Sequence, residues 1–482
     1  MTRRQAIAGL AGSAAIAQQR APNIVLILID DLRWDALGCV GHPWVQTPHI
    51  DKLAARGTRF ANAFVTTSLC SPSRASILTG QYMHAHGVSD NFTRLPASLP
   101  AFPQLLQQRG YRTAFLGKWH MGDAQLIQGG QDSDEPQPGF HHWVSFPGQG
   151  VFFDPVLNEN GTRRKTPGYT TDVLSDHAVR FIESQRRDRP FLLYLSHKAV
   201  HSNHDPAPRH RNLYTDTPVP VPASATVRDG KPNWLLRKRD VGRHGVQNLY
   251  AGAFTLDSLY RQYMRCLAAV DDSVGAVDAA LERAGVKENT LFVFMGDNGF
   301  LLGEQGLADK RVMHEPSIRI PIIAAWPGHL PAGAVRSEMV LNLDIAPTLV
   351  DAAGGRPPAT MHGRSMLPLF QPNPPAWRKE FVYEYFWDWE AAHTPGVLGL
   401  RTESHSYMEY QGIWDRNELY DLRADPDQLR NLLAGAEVTT QPGGWMERIA
   451  DPATRKLARD LRARMVAILN STGGGQLSRG PA

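Results

Sequence analysis

Cysteine is scarce in this chain: Cys39, Cys70 and Cys266 are the only three in 482 residues. They form no Cys-x-x-Cys pair, which argues against a thiolate metal site and against a disulfide scaffold. A Cys39–Cys266 bridge would need a proximity that nothing in the sequence supplies. Long apolar runs are also missing, so no segment reads as a membrane span. Net charge is small at +4, and two of those charges come from Arg3 and Arg4. The Arg237-Lys238-Arg239 run reads as a solvated loop, so the basic field that nucleic acid requires is absent. No internal repeat is visible. With 42% hydrophobic and 20% charged residues the composition is that of an ordinary soluble protein. The length calls for one large domain plus a smaller one.

What is present begins with four strands that end in chemistry. Asn23–Ile29 is almost wholly apolar and stops at Asp30-Asp31. Tyr111–Leu116 runs into Gly117-Lys118-Trp119-His120, and Phe191–Leu195 is followed by His197, His201 and His204. Leu291–Met295 leads into Gly296-Asp297-Asn298-Gly299. Near-continuous apolar strands alternating with helical runs such as Tyr260–Leu281, which takes Cys266 into the core, predict an α/β fold with a large, mostly parallel sheet. In such sheets ligands sit beyond the carboxyl ends of the strands. Asp30, Asp31, Asp297 and Asn298 are hard oxygen donors suited to Ca²⁺ or Mg²⁺. Adjacent carboxylates repel unless something positive lies between them. Zinc is not expected, because the His84 and His86 pair lacks a third ligand; those two shape the segment that follows the run at 70–80.

Cys70-Ser71-Pro72-Ser73-Arg74 reads as a nucleophile opening a helix, with Ser71 or Ser73 as cap, Pro72 in the first turn and Gly80 as stop. A group at that position faces the positive end of the helix, which favours anionic substrates. The run resembles the maturation signature of the type I sulfatases, Cys-x-Pro-x-Arg, whose cysteine is oxidised to formylglycine. The likeness extends from about Pro22 to about Leu433. It includes the segment at 23–31, Gly117–His120, the His201 segment and the long run from Gly296 through Lys310. The resemblance implies an alkaline phosphatase-like fold: a large mixed, mostly parallel sheet flanked by helices. It also implies that Asp30, Asp31, Asp297 and Asn298 hold a metal with the oxidised Cys70, usually Ca²⁺ and sometimes Mg²⁺. Arg74, Lys118, His120, His201 and Lys310 would line the sulfate pocket. In the mechanism the resemblance implies, a hydrated aldehyde would attack sulfur with one hydroxyl and expel sulfate through the other, with His201 or Lys310 serving the leaving group and His120 the proton that regenerates the aldehyde. Two positions depart from the family pattern: Val200-His201 stands where many members have Pro-His, and Gln305 where many have His. The first leaves His197, His201 and His204 as candidates for the pocket histidine, of which His201 is chosen by its distance past the strand.

Three segments are expected: an export leader over 1–21, a catalytic domain over 22–354 and a C-terminal part over 355–482. The leader rests on Arg3-Arg4, an apolar stretch and Ala15-Ile16-Ala17, which resemble a twin-arginine signal and imply a periplasmic or extracellular enzyme. In the last part Phe381–Phe386, Val397–Arg401 and Tyr407–Gln411 read as strands of a small antiparallel sheet, and Leu457–Leu469 as a closing helix. Gly122–Gly139 reads as a surface loop, Ser202–Asn248 as a long, partly packed insertion and Pro368–Pro375 as a linker. Trp387, Trp389 and His393 either stack on a sugar or pack between domains. The expected activity is hydrolysis of sulfate esters, by family habit of sulfated carbohydrates, after maturation by a formylglycine-generating enzyme. A phosphonate monoester or phosphodiester hydrolase on the same fold is one alternative. An unmodified, non-catalytic sugar-binding protein is the other.

Overall fold

The computed structural model describes residues 20–122, 133–436 and 444–478. The leader expectation therefore falls almost wholly outside the described residues, as does most of the Gly122–Gly139 loop.

Ten strands form one mixed sheet: β1 (Asn23–Ile29), β2 (Thr58–Phe64), β3 (Arg112–Lys118), β4 (His142–Phe146), β5 (Val156–Glu159), β6 (Thr162–Lys165), β7 (Phe191–His197), β8 (Thr290–Gly296), β9 (Ile322–Ala325) and β10 (Ala334–Leu341). Their order is β10-β2-β9-β8-β1-β7-β3-β4-β5-β6. The centre, β8-β1-β7-β3-β4, is parallel throughout. β9 runs against both β8 and β2, and β5 and β6 close the far edge as an antiparallel hairpin. The four strands read from the sequence are thus neighbours, all pointing the same way. Register aligns their ends: Ile29 pairs with His197 on one side and Gly296 on the other, and Gly117 pairs with Ser196.

All seven residues of β1 are buried because the strand feeds two cores at once. Ile24, Leu26 and Leu28 join the layer that contains the Cys70–Thr79 helix and the C-terminal sheet. Val25, Ile27 and Ile29 point to the opposite layer, among Leu174 and Ala178 of the helix Thr170–Glu183 and Leu259 and Cys266 of the helix Leu256–Ala284. Side chains alternate with period two, so a strand covered on both faces is apolar along its length, and the one polar residue, Asn23 at its start, accepts from the Phe191 N–H.

The C-terminal sheet is antiparallel, in the order β11 (Glu380–Tyr385), β12 (Gly396–Thr402), β13 (His405–Gln411), β14 (Glu418–Asp421), and the helix Pro452–Ser471 packs on it. Its apolar face, including Phe381, Tyr383 and Leu400, merges with the first layer's core. The three cysteines are free thiols.

One sequence expectation is corrected by the fold. Arg237-Lys238-Arg239 is no solvated loop: it lies in a helix, Asn233–Val241, with Lys238 2% exposed. Lys238 ion-pairs with the buried Asp309 at 2.5 Å, and a buried carboxylate requires such a partner.

Candidate active site

The helix that begins at Cys70 is buried at all ten positions, so it has no solvent face. Gly80 ends it in the left-handed conformation at φ 67°, which glycine adopts without steric cost. Neither Ser71 nor Ser73 caps it; Leu69 occupies that place in extended backbone with no side-chain bond. Ser71 Oγ instead donates to the His120 carbonyl at 2.5 Å, and Ser73 Oγ donates to the Asp297 carbonyl. The two serines tie the helix to two strand ends.

Around Cys70 the strand ends converge. Its Sγ lies 3.2 Å from Asp30 Oδ1, 2.7 Å from Lys310 Nζ and 3.7 Å from Lys118 Nζ. Lys118 also donates to Asp30 and to Gln149 Oε1, while Lys310 donates to Asp31. Arg74, 2% exposed, spans the site as a fork. Its Nε and Nη2 meet Asp297 Oδ2 at 2.9 and 2.8 Å, and its Nη1 donates to the Lys118 carbonyl at 2.6 Å and Ser196 Oγ at 2.7 Å. The guanidinium is thereby engaged in aligning Asp297 and Lys118. Asp31 (φ 58°), His120 (φ 64°) and Arg311 (φ 74°) hold left-handed backbone, which costs a side-chain-bearing residue energy and clusters at functional sites.

Carboxylate oxygens of Asp30, Asp31 and Asp297 all lie within 4.8 Å of one another and are buried. Asp297 Oδ1 accepts from the backbone N–H groups of Asp31 and Asn298 at 3.0 and 2.7 Å. Asn298 Nδ2 donates to Asp31 Oδ1 at 2.7 Å, which leaves its buried Oδ1 without a hydrogen-bond partner. Three carboxylates and one unsatisfied amide oxygen make an all-oxygen donor set that fits a hard divalent cation.

Burial would raise Asp30, but Lys118, His201, Lys310 and Arg74 hold its carboxyl well below the usual range. Burial and the neighbouring Asp30 push Asp297 up to about 7, and the same two causes push the Cys70 thiol up to about 12. His120 and His201 are both kept neutral, chiefly by burial and then by the nearby lysines.

Of the three histidines at and beyond the end of β7, His201 lines the cleft, with Nε2 3.8 Å from Asp31 Oδ2. His197 turns the other way, toward Ser273 Oγ at 2.9 Å, and His204 sits edge-on to Tyr263. His120 is 1% exposed and meets Ser71 Oγ through Nδ1 at 3.3 Å. The cleft has a volume of about 270 Å³. Its lining includes residues that no sequence pattern singles out, among them Asn91, Gln149, Lys198, Arg243 and Arg311. Trp389 stacks on Phe92 at 5.2 Å beside this wall, and Trp387 is 56% exposed. His84, far from acting as a ligand, pairs with Glu384, and His86 with Ser76. A larger cavity of about 690 Å³, lined by Arg33, Tyr260 and Gln428, contains none of the residues around Cys70.

Residues 22–355 match the Sulfatase family, and residues 303–450 match the family described as N-sulphoglucosamine sulphohydrolase, C-terminal. The chain belongs to the sulfatase family. It is a sulfuric ester hydrolase of the alkaline phosphatase-like superfamily. An N-acetylglucosamine-6-O-sulfatase of Bacteroides thetaiotaomicron is 31% identical, the match covering 92% of this chain and 88% of the relative. The human N-acetylglucosamine-6-sulfatase is 29% identical over 86% of this chain and 82% of its own length. A solved enzyme in complex with its substrate D-glucosamine-2-N,6-O-disulfate shares 29% identity at a TM-score of 0.83, covering 96% of this chain and all of that one. The phosphonate monoester hydrolase of Agrobacterium radiobacter, 21% identical with a TM-score of 0.75, covers 94% of this chain and 96% of its own and shares the fold. Family membership implies a formylglycine and a divalent metal, and the sulfatase holds acidic groups able to bind one. Among the described residues no helix is long and apolar enough to cross a membrane.

Proposed function

We propose that this sulfatase removes sulfate esters from sulfated carbohydrates. It would use a formylglycine made from Cys70 and a Ca²⁺ ion, with Mg²⁺ as the alternative, held by Asp30, Asp31, Asp297 and Asn298. The observation that carries the reading is the position of Cys70 Sγ, 2.7 Å from Lys310 Nζ and 3.2 Å from Asp30 Oδ1 beside the three clustered carboxylates. The sugar class comes from the relatives and from the solved complex with a sulfated glucosamine.

A formylglycine made from Cys70 would supply a hydrated aldehyde as nucleophile, and a cation held by Asp30, Asp31, Asp297 and Asn298 would supply Lewis acidity toward the sulfuryl group. The chain's own residues do the rest. Lys118 and Lys310, whose ammoniums stand beside Cys70 Sγ, would offer fixed positive charge to the sulfate, where it acts best on developing negative charge. Arg74 keeps Asp297 and the end of β3 in line, so it acts through other groups. His120, neutral and held against the first turn of the helix, accepts a proton beside Cys70. His201 and Lys310 both line the cleft, and one or the other would serve the departing sugar oxygen.

The three-part division at 1–21, 22–354 and 355–482, the leader and export to the periplasm or outside belong to the same proposal. So does maturation by a formylglycine-generating enzyme. The test is sulfate release by protein co-produced with such an enzyme, across sulfated mono- and disaccharides and one aryl sulfate. Release from a sugar supports the reading. Hydrolysis of phosphonate monoesters in preference to all sulfates would replace it.

A further inference from the structure

The cleft is lined by more positive charge than the scissile sulfate explains. Each carboxylate facing it has a cationic partner: Asp31 has Lys310, Asp309 has Lys238 and Arg311, and Glu390 has Arg311. Two cations are left over. Lys198, on the segment after β7, is 5% exposed, and its ammonium stands 4.7 Å over the Phe152 ring. Among the described residues its ammonium donates no hydrogen bond and has no carboxylate within ion-pair distance; Asp30 and Asp31 act on it only from farther off. Arg243, exposed on the wall formed by the long insertion, makes one side-chain bond among the described residues, from its Nε to His244 Nε2 at 3.1 Å. Both line the same cleft as His201 and Lys310.

A buried ammonium with no ion-pair partner in contact is costly, and an aromatic face offsets part of that cost only. Burial and the field of Lys118 already push Lys198 down to about 8. The missing partner is therefore negative, and the cleft is where it must come from.

We propose that Lys198 and Arg243 form a second anion subsite, which takes an acidic group of the substrate other than the sulfate being cleaved. The inference rests on the sulfatase reading above and deepens it. The preferred substrate carries a sulfate ester and a second sulfate, sulfamate or carboxylate on the same sugar or the next one. Arg311 is not part of the subsite, because Asp309, Asp388 and Glu390 already surround it.

The test compares kcat/KM for three probes: a 6-O-sulfated N-acetylated amino sugar, the same sugar with an N-sulfate, and the 6-O-sulfated sugar linked to a uronic acid. The expected result is a preference of about tenfold or more for one of the doubly acidic probes, the size of one charge-assisted hydrogen bond. The preferred probe then names the second group as sulfate or carboxylate. Lys198→Met and Arg243→Gln should each lower kcat/KM on that probe, through KM, by about tenfold more than on the singly sulfated sugar. Lys198→Arg should restore the preference. Wild-type indifference among the probes, or equal losses on all three in both variants, would overturn the subsite. Failure of the wild type to release sulfate from any probe or from an aryl sulfate would instead bring down the sulfatase reading on which the subsite rests.

Discussion

Replacing Arg74 by lysine keeps the charge and removes the fork. The guanidinium reaches Asp297 Oδ2 with two nitrogens, at 2.8 and 2.9 Å, while its third serves the Lys118 carbonyl at 2.6 Å and Ser196 Oγ at 2.7 Å. A lysine ammonium on the same backbone can serve one side or the other, because it is a point donor and not a planar one. At least one charge-assisted bond is lost, about 1.5–3 kcal/mol. At 1.36 kcal/mol per decade that is roughly a 10- to 100-fold loss in kcat/KM. The loss reaches the chemistry because Asp297 is a candidate metal ligand and the freed carbonyl belongs to Lys118. Arg74 also lies in the maturation signature, so the assay must separate alignment from modification. Initial rates on an aryl sulfate would be divided by the fraction of chains carrying the aldehyde, read from the mass of the tryptic peptide spanning residues 60–74. A normalised kcat/KM within about twofold of wild type would refute the alignment role.

Other outcomes follow from the same geometry. Cys70→Ser should abolish multiple turnover, because a serine can accept sulfate but has no second hydroxyl with which to release it; sustained release by that variant would exclude the aldehyde mechanism. Asn298→Ala should weaken metal retention by at least about tenfold, measured by metal content after dialysis against a graded chelator, since it removes the one donor oxygen that is buried and unsatisfied. Acid should destabilise the C-terminal sheet through Glu418. Burial would raise this carboxyl, but His314 first, then Lys231 and the Tyr410 hydroxyl, bring it to about 2 from 4.5. A lowered carboxyl stabilises above the unfolded value, so roughly 3 kcal/mol should be lost as pH falls from about 4.5 through 2. Glu418→Gln should flatten the fall in melting temperature across that window.

Strands buried on both faces were the legible part of the fold. β1, β7 and β8 are near-continuous apolar runs, and their ends show as abrupt switches to Asp, His or Lys. The edge strands carry no such signal. β6 is Thr162–Lys165, exposed at every position, and β10 is half-exposed along its first five residues, so backbone pairing and not side-chain burial makes them strands. β14 is too short for alternation to register. In the site, the charged and amide groups announced themselves by type. The roles of Ser71 and Ser73 did not, because local spacing suggested caps while their true partners, His120 and Asp297, lie 49 and 224 residues away. Lys238 was misread for the same reason: the sequence displays its charge but not Asp309. Lys198 and Arg243 were invisible until the cleft brought them together, since an unpaired cation is defined by what fails to surround it.

The most direct measurement joins two readings on one preparation: the mass of the peptide Phe60–Arg74, and sulfate release from 6-O-sulfated amino sugars. The account predicts that the peptide carries an aldehyde in place of the Cys70 thiol and that sulfate is released in proportion to that fraction. An aldehyde-bearing enzyme that leaves every sulfate ester intact and hydrolyses phosphonate monoesters would contradict it.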